Sequence, residues 1–255
     1  MGAAVSLYGF VKRLLPAMKF VDGDSTEKPM RLGSYGEPWI TSASPTDHGY
    51  AEEGSMFVAT NPTIGTGTLW VAAQTAFSDT APNFLIQNTD PVKWMFLRYL
   101  KMVATAAATG TTSIQYAVKI DSQLRTPTTN NTAIITPVNP NMNMGSLGAA
   151  MNIQVQNSAT VSVIPAASAN ARIVARGSLG GLNIIGDEML IVFGSTDAGA
   201  QTATTAAEGA GQPGRRVSSA PAVVIGPGHS AVIYVWLPGS SASPAPEYEL
   251  CGWMR

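Results

Sequence analysis

Thr112, Ile114, Tyr116, Val118 and Ile120 alternate with Ser113, Gln115, Ala117, Lys119 and Asp121. A period of two sends successive side chains to opposite faces, so this run reads as a strand with one apolar and one wet face. Further strand candidates follow at residues 83–87, 133–136, 152–164, 172–176, 182–185, 188–193, 222–225, 231–237 and 248–254, separated by Gly- and Pro-rich turns. Asn157-Ser158 interrupts one of them and marks a hairpin or a bulge. Residues 92–102 are apolar on both faces. Asp90-Pro91 would suit the N-cap and first position of a helix there, but the aromatic and β-branched content favours a strand. Residues 105–111 are small and Gly-containing, so 92–121 is expected to form one long hairpin. Many short strands without a long helical period predict an all-β, antiparallel sandwich, jelly-roll-like, over residues 65–255.

Between Thr126 and Ala171 there is no Asp, Glu, Lys, Arg or His over 46 residues. Asn, Thr, Ser and Gln punctuate this stretch, and Pro127, Pro137, Pro140 and Pro165 break it. No apolar run approaches the ~20 residues of a spanning helix, so no membrane is expected as a partner. A segment that lives without solvating charge is expected in the core or against other chains, because interface centres are depleted of Lys, Glu and Asp. Charged residues are only 12% of the whole chain and its net charge is −1, which argues for association and against direct contact with nucleic acid.

Residues 1–64 differ from the rest. The first 60 residues hold 12 of the 31 charged residues and little alternation. Leu7, Phe10, Val11, Leu14 and Leu15 have helical spacing that Pro16 ends. We read 1–64 as an irregular, extended arm whose large apolar groups, Leu7, Phe10, Leu14, Phe20, Trp39 and Phe57, anchor on a partner. The start Met1-Gly2-Ala3-Ala4-Val5-Ser6 also fits the N-myristoylation pattern, which ranks below a plain arm. No secretory signal is apparent, since Lys12, Arg13 and Pro16 fall within the hydrophobic stretch, so synthesis in a reducing cytoplasm is expected. Residues 194–221 are low in complexity and longer than an ordinary connection, and read as a long loop. Arg215 and Arg216 fall in it and are candidates for contact with a neighbouring subunit.

Catalytic chemistry is hard to assemble from this chain. His48 and His229 are isolated in turn contexts, where a cupin-like metal site needs clustered ligands. Cys251, the single cysteine, sits in an apolar, aromatic run and reads as a small buried hydrophobe. Glu247 and Glu249 share a strand face in the manner of a glycosidase pair, but a solvated sheet edge near Arg255 accounts for them better. Asp187-Glu188 reads as a turn. Asp22, Asp24 and Glu27 lack calcium-loop spacing, and the glycines of GSLGGLNIIG lack dinucleotide spacing. No catalytic residue, cofactor or metal is therefore expected.

The sequence NFLIQNTDPVKWMFLRYLKM, then SIQYAVKID, then the ending APAVVIGPGHSAVIYVWLP…YELCGWMR, preceded by an irregular arm, resembles the jelly-roll cement or decoration proteins of tailed bacteriophages over residues 69–255. The resemblance is one of whole-chain style and carries no diagnostic motif. It implies a homo-oligomer, a trimer, bound to the major capsid protein on the outside of the virion, and implies no catalysis. A shell-forming jelly-roll protein shares the same features. A tail or receptor-binding module would stack sugars on Trp39, Tyr50 or Trp70, and a β-sandwich hydrolase would need carboxylates clustered in a cleft.

Overall fold

The alternation expected for a sandwich is realised in β5 (Met95–Ala106), where Met95, Leu97, Leu100, Met102 and Ala104 turn inward and are buried. The computed structural model describes residues 19–21, 27–29, 50–51, 53–67, 74–106, 113–127, 132–145, 147, 150–156, 163–180, 185–194, 215–238 and 245–255. Among these the named elements are all strands, and residues 50–51 are helical. Residues 1–49 form a separate unit in which β1 (Lys19–Val21) and β2 (Glu27–Pro29) pair antiparallel, where an irregular arm was expected. Leu7, Phe10, Leu14 and Trp39 lie outside the described residues; Phe20 lies in β1 opposite Lys28.

The remainder, from Tyr50 onward, is one sandwich. Its strands are β3 (Met56–Thr60), β4 (Phe84–Asn88), β5, β6 (Ser113–Asp121), β7 (Thr132–Ile135), β8 (Met151–Gln156), β9 (Arg172–Gly180), β10 (Glu188–Phe193), β11 (Arg215–Ala220), β12 (Val223–Ile225), β13 (Ser230–Trp236) and β14 (Ala245–Met254). The first sheet has the order β11-β10-β5-β14-β3, with β12 also on β5; the second has the order β7-β8-β4-β13-β6-β9. β10 takes Tyr99 to Val103 of β5 and β12 takes Met95 to Leu97, so two short strands share the side of β5 that β14 leaves open. The antiparallel pairs β3·β14, β4·β13, β5·β12 and β6·β9 are nested one inside the next, and this nesting is what makes the sandwich jelly-roll-like. β7 and β8 are inserted between β6 and β9; β10 and β11 are inserted between β9 and β12. β10 and β11 run parallel.

The core lies between the sheets. Phe57, Leu100, Met102 and Leu250 from the first meet Phe84, Ile86, Ile153, Val155, Ile233 and Val235 from the second. Each such side chain stabilises the fold by about 1.5–3 kcal/mol relative to exposure. Phe84 and Tyr248 meet edge to face across the layers at 5.5 Å. A smaller cluster of Leu85, Ala117, Ile164, Val232 and Tyr234 covers the outside of the second sheet.

Several expectations need correction. β5 and β6 do not form a hairpin: they belong to different sheets, because both sides of β5 are taken by β14, β10 and β12. The sandwich starts before residue 65, since β3 pairs with β14 and Phe57 is fully buried; Phe57 is a core residue and not an arm anchor. The 194–221 segment contains β11, so Arg215 and Arg216 open a strand and do not sit at a loop tip. Of 152–164, the described strand is Met151–Gln156, residues 157–162 lie outside the described set, and residues 163–164 are not in a strand. Ile185 is in a turn, with residues 182–184 outside the described set. Glu188 belongs to β10, and Asp187 before it is buried.

Candidate interaction surface

Among the described residues the uncharged stretch falls into a run before β8, β8 itself, and a segment over 163–171. β8 lies inside the second sheet, with Met151, Ile153 and Val155 in the core. The preceding part runs along one side of the sandwich. There β7 is the outermost strand of the second sheet, and three residues later Val138 joins the first sheet. Val58 N–H donates to Val138 O at 2.9 Å, and Val138 N–H donates to Val58 O at 2.8 Å. Asn139 Nδ2 then donates to Gly54 O at 2.7 Å. Residues 132–139 therefore strap the outermost strands of both sheets together on the same side.

This strap presents apolar side chains to solvent. Ile134 is 65% exposed, Val138 55% and Met142 98%, and Met144 is also exposed. Native outer strands are ordinarily guarded by Lys, other charges or bulges, because an open row of N–H and C=O groups invites pairing with another chain. Along the described residues 132–145 the guards are Pro137 and Pro140, and no charge lies between Thr126 and Ala171. The arrangement can bury apolar area and extend a sheet; it carries no group suited to acid–base work.

On the opposite side lie β9 and β11, where Arg172, Arg176 and Arg215 are exposed. Arg215 Nε pairs with Glu188 Oε1 at 2.8 Å, an exposed contact worth little. Arg216 occupies the next position of β11, opposite Met189.

Glu247 and Glu249 do share the outer face of β14, but β14 is an interior strand flanked by β5 and β3, not an edge. Glu249 accepts the Tyr99 hydroxyl and lies 3.9 Å from Lys101 Nζ, while Glu247 accepts the Gly65 N–H. Burial, then the hydrogen bond to Glu249, push the Tyr99 hydroxyl well above its ordinary pKa. These two carboxylates are thus spent on neighbouring donors around a shallow depression that Thr60, Asn61 and Ile64 also line.

His229 lies in the turn between β12 and β13, as expected, with its N–H bonded to Gly226 O at 3.1 Å; His48 is outside the described residues. No cluster of three metal-ligating side chains occurs among the described residues. Cys251 is fully buried, beside Tyr99 in the register of β14 and β5.

Sequence reading missed one charged assembly. Arg125 is almost completely buried, and its guanidinium reaches Tyr234 Oη at 2.7 Å, Asp79 O at 2.8 Å and Pro165 O. Asp79 also binds Lys119 Nζ at 2.7 Å and the Ala167 N–H at 3.0 Å, and Asp121 receives Ser168. Burial raises the Asp79 carboxyl, but the Lys119 bond, the Ala167 N–H and the charges of Arg125 and Lys119 outweigh it and hold the pKa below its ordinary value. Every member has partners, so the assembly pins the 74–82, 122–127 and 163–168 segments onto β13 and β6. Its one signal in sequence was Asp121 and Arg125, charges four residues apart at the end of the alternating strand β6.

No protein-family model, curated protein or solved structure matches the chain.

Proposed function

We propose that this chain is a structural virion protein, a cement or decoration protein that binds the major capsid protein on the outside of a phage shell as a homo-oligomer, a trimer, and performs no catalysis. The observation that carries the reading is the uncharged strap. An apolar, uncharged strap on an outer strand of a sandwich is suited to burial against another subunit and ill suited to permanent exposure. The jelly-roll-like nesting fits the same reading, and the spent carboxylates and absorbed Arg125 assembly fit a protein without chemistry of its own.

The test uses capsids of the phage that encodes the chain. Full-length protein is added to shells lacking it, and occupancy is measured by gel densitometry and particle imaging. The reading expects saturable binding at fewer copies than the shell subunit, with Met142→Lys and Ile134→Lys together abolishing it. Wild-type occupancy by that double variant would remove the strap as the contact. A copy number equal to the shell lattice would favour a shell-forming role. The candidate arm contacts Leu7, Phe10, Leu14, Phe20 and Trp39 are tested by removing residues 1–40, which is expected to leave a folded sandwich that no longer binds.

A further inference from the structure

A groove of about 500 Å3 crosses the outer face of the second sheet, and no group described above uses it. The register explains its shape. Trp236 of β13, Gln115 of β6 and Ser178 of β9 lie in one row across three strands, and Tyr234, Ala117 and Arg176 form the next. Ala117 leaves a low floor between larger neighbours. Phe77 stands over the Trp236 side, edge to face with that ring at 5.6 Å and with Tyr234 at 5.0 Å. Ile173 and Arg176 form the opposite wall.

Three polar groups of residues lining this groove have no partner among the described residues. The Arg176 guanidinium, the Gln115 carboxamide and the Trp236 indole N–H make no hydrogen bond or ion pair among the described residues. Phe77 and Ile173 are both well exposed, at 40% and 55%. A concave, largely apolar surface with a few converging polar groups is the general form of a small-molecule site, and its volume falls in the usual range of about 300–1,000 Å3. Among the described residues no carboxylate lines it.

We infer that this groove binds a sugar ring bearing a carboxylate, a hexuronic-acid unit of a surface polysaccharide. The C–H face of a pyranose is apolar and flat enough to lie on one of the two rings, Trp236 or Phe77, with the other, set at 67° to it, closing the side. Its hydroxyls are matched by the two-way donor and acceptor Gln115, and by the indole N–H. Its carboxylate is matched by the fork of Arg176, which forms charge-assisted, paired hydrogen bonds. A neutral sugar leaves that guanidinium unused; an anion without an apolar face leaves the aromatic wall unused. The inference goes beyond the capsid reading and does not depend on it, because the free chain in solution suffices to test it.

The experiment follows the tryptophan indole resonances of the 15N-labelled full-length chain during titration with tri-galacturonate, with galactotriose as the neutral counterpart. The expected result is a saturable shift of the Trp236 resonance with tri-galacturonate, at a Kd on the order of 1 mM or tighter. The neutral trisaccharide should bind roughly tenfold more weakly, the loss of one charge-assisted pair. Arg176→Gln, an exposed change, should erase that preference, and Gln115→Ala should weaken both ligands. Absence of a saturable shift with either sugar overturns the assignment, as does an unchanged preference in Arg176→Gln. Tighter binding of a nucleoside monophosphate than of either sugar overturns it as well.

Discussion

Arg125 and Asp79 meet on the outer face of the second sheet: Arg125 Nη2 lies 2.8 Å from the Asp79 carbonyl oxygen and 3.5 Å from its Oδ2. Tyr234 completes the triangle, accepting from Arg125 and donating to Asp79 O at 2.9 Å. Because Arg125 is buried and the segments it joins are otherwise irregular, this contact holds three connections in place at one point.

Arg125→Ala is expected to destabilise the sandwich by about 3–5 kcal/mol, since it leaves Tyr234, Asp79 and Pro165 O without their buried donor. Urea unfolding followed by tryptophan fluorescence measures this. A loss below about 1 kcal/mol would mean that water replaces the guanidinium at little cost.

The lowered pKa of Asp79 gives stability a dependence on acid. The folded carboxyl ionises below its ordinary value of 3.8, so its contribution is present above that value and lost as pH falls through the folded pKa. Unfolding midpoints of the wild type and Asp79→Asn should therefore differ most near neutrality, with the wild type more stable. The difference should narrow below about pH 4. A gap that stays constant down to acid unfolding would assign the effect of the substitution to hydrogen bonding alone.

Gly252 sits at the bulge where β14 shifts register against β5. A Cβ there would lie 2.4 Å from the Phe96 carbonyl oxygen and 2.7 Å from the Phe57 ring. Neither can move freely, one being backbone and the other core. Gly252→Ala is thus expected to cost about 1–3 kcal/mol by overpacking. Gly145→Ala, whose Cβ would meet nothing within 4 Å, serves as control and should be neutral or slightly stabilising. Thermal melts of the two variants check the contrast.

Met142→Lys and Ile134→Lys, offered above as the test of the strap, should leave the isolated fold within about 0.5 kcal/mol of the wild type, because both side chains are exposed. Chemical unfolding of the double variant checks this. A large loss of stability would place these residues in the chain's own packing and remove them as contact residues.

Period two is a local property, and where one face meets core and the other meets water it is written into the residues themselves. Glu188–Phe193 was readable as a strand for that reason, as was β6; β13, buried on both faces, was readable from its apolar, β-branched run, and so was the all-β sandwich they build. The burial of Cys251 followed from its apolar neighbours in the same way. Which strand lies beside which is not local. β5 and β6 are adjacent in sequence yet part into different sheets, and β3, too short to stand out among the prolines and charges before it, earns its place by pairing with β14 nearly two hundred residues later. The glutamates of β14 looked like a sheet edge until β3 closed over that side. Asp79 and Arg125 are 46 residues apart, and Arg125 and Tyr234 are 109 apart. Neither spacing marks a partner, because burial of a charge becomes affordable only where the fold brings its donors and acceptors together. The unpartnered groups of Arg176, Gln115 and Trp236 converge for the same reason: cross-strand register sets them side by side, and register is decided by the whole sheet and not by any run within it.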